Sequence, residues 1–124
     1  MDAGYHQFMW DGSSWKPVAT PTYYYEVTAN ASSAYRFAGP GVSNTTDNPN
    51  FTLYRGSTYI FNNTTGGSHP FAIRTSPGGS DFTDGVTGSQ SGVQIFTVPM
   101  EPSDTSLVYQ CTIHALMAGD LSIA

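Results

Sequence analysis

The chain has 124 residues, enough for one domain whose core needs no disulfide staple. It is 39% hydrophobic and 14% aromatic but only 10% charged, with a net charge of −5 and four scattered basic residues, Lys16, Arg36, Arg55 and Arg74. These figures exclude a solvated helical bundle and a basic surface for nucleic acid; no apolar run reaches the ~18 residues of a membrane-spanning helix, and a single cysteine excludes an internal disulfide.

Residues 1–20 read as an N-terminal aromatic arm, with Tyr5, Phe8, Met9, Trp10 and Trp15, an Asp-Gly turn at 11–12 and prolines at 17 and 21. Its first stretch, MDAGYHQFMWDG, lacks a basic n-region and an apolar h-region, so no secretory signal is expected. His6 reads as an exposed arm residue. TYYYEVTA (22–29) is β-branched and aromatic, a strand. Residues 31–50 are mostly loop, with a short strand around Tyr35 to Phe37. NFTLYRGSTYIFNN then alternates: Phe51 and Leu53 share one face, and Tyr59 and Phe61 share another after the Arg-Gly turn. HPFAIRT (69–75) is a further strand, and SPGGSDFTDGVTGSQSG (76–92) a long Gly/Ser-rich loop. That loop lacks the lysine and following helix of a phosphate cradle, and Asp81 and Asp84 alone are weak evidence for calcium or catalysis. VQIFTVP (93–99), SLVYQC (106–111) and DLSIA (120–124) complete the strands. The expectation is an all-β sandwich of about seven to eight strands spanning 21–124, with the arm outside it.

The chemistry lies near the end of the chain, in YQCTIHALMAG. Cys111 ends a strand, and a tight loop carries His114 and Met117 at spacings of three. Ser68-His69-Pro70 heads another strand. If these strands are neighbours, His69 faces the loop, and two imidazoles, one thiol and one thioether converge. Two His and one Cys in a plane with a weak axial Met suit copper. Zinc also accepts Cys and His, but a thioether is a poor zinc ligand.

From about residue 50 to 124, GSTYIFNN, SHPF and Y-x-C-x-x-H-x-x-M-x-G resemble the cupredoxin family in order and spacing, with the short ligand loop of its amicyanin-type members. The resemblance implies a Greek-key cupredoxin-like sandwich with His69, Cys111, His114 and Met117 as copper ligands and Tyr109 in the core beneath them. Pro70 departs from the family pattern. Electron-transfer members carry Asn there, whose N–H bonds the thiolate, and proline has no N–H. Three histidines without a His-x-His pair exclude a trinuclear oxidase centre.

More narrowly, SHPFAIRT, FTDGVTG, FTVPM and YQCTIHALMAG resemble cupredoxin-like domains of virion proteins from marine tailed phages, especially cyanophages. That resemblance implies a non-enzymatic virion component, a capsid decoration (cement) protein or tail accessory, assembled in the host cytoplasm. The arm would then attach it to the major capsid protein or to tail subunits, and a homo-oligomer fits the same picture. The alternative is a soluble blue-copper electron carrier. No Ser-His-Asp arrangement or other catalytic constellation is legible.

Overall fold

The computed structural model describes residues 7–10, 15–18, 21–101 and 106–124. Strand-forming segments account for most of them. In chain order they are β1 (Gln7–Trp10), β2 (Trp15–Val18), β3 (Thr22–Asn30), β4 (Ala34–Ala38), β5 (Phe51–Leu53), β6 (Thr58–Asn63), β7 (Phe71–Arg74), β8 (Val86–Gly88), β9 (Val93–Thr97), β10 (Ser106–Cys111) and β11 (Ala118–Ile123). Among the described residues a single 3-10 turn, Gly66–Ser68, sits just before His69. No helix among the described residues is long and apolar enough to cross a membrane.

Nine strands form two sheets. One has the order β4-β3-β6-β9-β8 and the other β5-β11-β10-β7. Pairing is antiparallel except for β3 with β6 and β11 with β5, so both sheets are mixed. The architecture is the all-β sandwich expected from the alternation. Two details differ from the sequence reading. The Gly/Ser-rich stretch 76–92 contains β8, which pairs with β9, and the arm contains an antiparallel hairpin in which Gln7 opposes Val18 and Trp10 opposes Trp15.

Period-two alternation builds the core. In β6, Tyr59, Phe61 and Asn63 are buried while their neighbours are half-exposed. In β10, Leu107, Tyr109 and Cys111 enter the core, whereas Val108 and Gln110 lie on the other face and are buried as well. The interior is a mesh of rings. Phe71 stacks on Tyr109 at 5.5 Å, and Phe37 meets Tyr109 edge-on at 5.0 Å. Such pairs prefer defined offsets and add to the free energy of burial, so they fix side-chain positions as well as excluding water. The polar tips are satisfied: Tyr109 donates to the Pro49 carbonyl (2.6 Å), and Tyr35 donates to the carbonyls of His69 (2.7 Å) and Pro70 (3.0 Å).

Candidate metal centre

The second sheet brings the candidate ligands to one end of the sandwich. β10 and β7 are neighbours, with Cys111 opposite Phe71, two residues beyond His69. The Thr112 amide bonds the Pro70 carbonyl at 3.1 Å and continues that pairing past the end of β10. The chain then turns back on itself. Met117 N–H donates to the His114 carbonyl (3.0 Å), and Cys111 N–H donates to the Met117 carbonyl (2.9 Å). The seven residues from Cys111 to Met117 therefore close a loop that returns His114 to the cysteine.

His69, Cys111 and His114 form a cluster with their donor atoms within 4.8 Å of one another. His69 Nδ1 is 3.1 Å from His114 Nδ1, and the Cys111 sulfur is 3.9 Å and 3.7 Å from those two nitrogens. A metal ion in the plane of two nitrogens at ~2.0 Å and one sulfur at ~2.3 Å requires N···N near ~3.5 Å and N···S near ~3.8 Å. The observed triangle is within a few tenths of an ångström of that requirement. The two imidazole nitrogens also lie at hydrogen-bond distance, with the donor on one ring and the acceptor on the other. Cys111 is 1% exposed, while the two histidines are half-buried. Met117, the fourth expected ligand, is fully buried on the same loop, and it shares the core cluster with Cys111.

The sulfur is not short of donors. Proline at position 70 supplies none, but the Ile113 and His114 amides both point at Cys111 Sγ at 3.4 Å. The ligand loop itself thus does what the residue after His69 does not.

Four residues frame the site without being ligand candidates: Tyr35, Asn48, Asn63 and Thr65. The His69 carbonyl accepts from Tyr35 Oη (2.7 Å), Asn63 Nδ2 (2.8 Å) and Thr65 Oγ1 (3.2 Å). Asn63 also binds the Gln90 carbonyl (2.9 Å), and its own oxygen accepts from Thr65. Burial, and then the neighbouring Cys111 sulfur, hold the Tyr35 phenol well above its ordinary range, so it remains a donor. On the other side, Asn48 accepts from the Tyr35 amide (2.9 Å) and donates to the Leu116 carbonyl (3.2 Å), tying the ligand loop to β4. A buried Asn in phase with Tyr59 and Phe61 was the clue available in the sequence. An inward polar residue needs partners, and here the partner is the backbone that positions His69.

No protein-family model and no curated protein matches the chain. Among solved structures it is similar to reduced rusticyanin, with 15% identity and a TM-score of 0.49 over 96% of this chain and 89% of that one. It is also similar to rusticyanin from Thiobacillus ferrooxidans, at 16% identity and a TM-score of 0.47 over 96% and 87% of the two chains. A further structure, of the copper protein rusticyanin, gives 16% identity and a TM-score of 0.48 over 96% and 88%. At this degree of overlap the chemistry rests on the donor triangle and its surroundings.

Proposed function

We propose that this chain is a cupredoxin-like copper domain that exchanges single electrons. His69, Cys111 and His114 hold one copper ion, with the Met117 thioether as a weak fourth donor. The observation that carries this reading is the donor triangle: one buried sulfur and two imidazole nitrogens at separations that fit a single ion, on neighbouring strands.

Copper held by thiolate and imidazole supplies a one-electron couple. The chain's own residues supply the constraint. Two amides point at the sulfur, three donors fix the His69 backbone, and the 111–117 loop closes through its own hydrogen bonds. A frame this rigid keeps the donors in place whichever charge the site carries. Beside His114, Ile113 and Leu116 are 60% and 84% exposed, which gives the site an apolar rim where a redox partner could approach without desolvating charge.

Copper-loaded protein at an electrode is expected to give a reversible one-electron wave that disappears in Cys111→Ser. A wild-type protein that binds copper but shows no wave contradicts electron exchange. The virion reading rests on the motif resemblance and has no counterpart in the geometry of the site. In that reading the N-terminal hairpin is the attachment element, and copies of the protein would purify with particles.

A further inference from the structure

Gln110 lies between Tyr109 and Cys111, on the face of β10 turned away from the core cluster, yet it is only 3% exposed. A side chain on an outer sheet face is buried only if something covers it. The cover is the start of the Gly/Ser-rich stretch. Gln110 Oε1 accepts from the Gly78 amide (2.7 Å) and from Arg74 Nη1 (2.9 Å). Its Nε2 donates to the Ala115 carbonyl (2.8 Å), in the ligand loop between His114 and Met117.

The contacts continue outward. Arg74 Nε reaches Asp81 Oδ1 at 3.4 Å, and the other Asp81 oxygen accepts from Gln90 Nε2 at 3.1 Å. The Gln90 carbonyl accepts from Asn63 Nδ2, the same group that bonds the His69 carbonyl. The two histidines sit at the two ends of this polar chain, which passes through the 76–92 segment.

We propose that residues 76–92 clamp the metal centre, with Gln110 as a positioning residue that holds the His114–Met117 loop in register with His69. The proposal rests on the copper reading for its consequence and on the hydrogen bonds for its structure. Gln110 touches no metal donor; it acts through Ala115. Partners one shell out from a metal typically govern its affinity about 10- to 100-fold. Gln110 is the strong link because it is buried and makes three good bonds. The Arg74–Asp81 link is the weak one, being long and half-exposed at Asp81.

The test uses two variants of the full chain. Gln110→Glu keeps the acceptors for Gly78 and Arg74 but has no donor for Ala115. Asp81→Ala alters an exposed side chain outside the core cluster. In metal-free protein, hydrogen exchange of the Cys111 and Met117 amides is expected to speed up about tenfold in Gln110→Glu, with the Phe61 and Phe96 amides unchanged. Asp81→Ala should shift the same two amides about two- to threefold. Copper affinity, read by competition with a chelator, should fall about 10- to 100-fold in Gln110→Glu, with a changed visible spectrum. Loop amides and copper affinity that match the wild type in both variants overturn the clamp. If Gln110→Glu fails to fold, Asp81→Ala decides: no shift in its loop amides overturns the proposal. A wild-type protein that takes up no copper overturns the copper reading instead, and the exchange rates of metal-free protein still decide the clamp.

Discussion

Tyr109 lies against the backbone of Gly119, its partner across β10 and β11. A Cβ at Gly119 would come within 2.5 Å of the Tyr109 Cζ atom, so the ring occupies the space a side chain would take. Gly119→Ala is therefore expected to destabilise the fold by about 1–3 kcal/mol through overpacking, measured by denaturant unfolding; an unchanged midpoint would mean that the ring moves aside freely. Asn63→Ala removes one donor each from the His69 and Gln90 carbonyls, which keep Tyr35 and Thr65 and the Phe71 amide respectively, so the loss is expected to be that of two ordinary hydrogen bonds, about 0.5–1.5 kcal/mol each. The same variant is expected to weaken copper binding, because the His69 backbone loses one of its three anchors. Tyr35 and Tyr109 set the alkaline limit. Burial is the main reason both phenols are raised far above the ordinary value of 10.0. The folded protein then keeps protons that the unfolded chain releases, so their contribution is complete below pH 10 and is lost as pH climbs further. Unfolding midpoints should fall between about pH 10 and pH 11, and more gently in Tyr35→Phe or Tyr109→Phe. A midpoint independent of pH across that window contradicts the burial argument.

At the scale of elements, β10 and β7 decide the site, because their pairing brings His69 to the end of β10. Both strands were legible from composition and alternation, and so was the convergence of His69 with Cys111 and His114. Other elements gave no such signal. β8 is three residues long with one apolar member, Val86, between Gly85 and Gly88, and its pairing with β9 is a tertiary fact. In β1 the apolar run Phe8-Met9-Trp10 has no period-two pattern, so its hairpin with β2 could not be read from alternation. Tyr35, Asn63 and Gln110 escaped for a related reason: their bonds go to backbone groups of loops, His69 for Tyr35 and Asn63 and Gly78 and Ala115 for Gln110, whose return to these strands no spacing reveals. The nine sandwich strands close from Thr22 onward, with β3 lying between β4 and β6. A variant lacking residues 1–20 is accordingly expected to keep its thermal midpoint and its response to copper. Unfolding of that variant would place the hairpin within the cooperative unit.

For the whole molecule, the aromatic interior and the site form one mechanical unit. Tyr35 joins them directly, since its ring meets Phe71 at 5.3 Å and its hydroxyl holds the carbonyls of His69 and Pro70. The sandwich thereby transmits its rigidity to the donors, which low-barrier electron exchange needs. Charged residues are only 10% of the chain, and among the described residues the Arg36–Asp47 and Arg74–Asp81 pairs engage two of the cations. Approach of a partner should therefore depend on the apolar rim of Ile113 and Leu116 rather than on salt, and Leu116→Glu is expected to slow electron exchange at constant copper affinity. The most direct test of the central claim is a titration of reduced, metal-free protein with copper, following visible absorption and free thiol together. The account predicts one copper per chain, an intense thiolate-to-copper band, and loss of Cys111 reactivity in step with the colour, all absent in Cys111→Ser. A wild-type protein that stays colourless with a freely reactive thiol would contradict it.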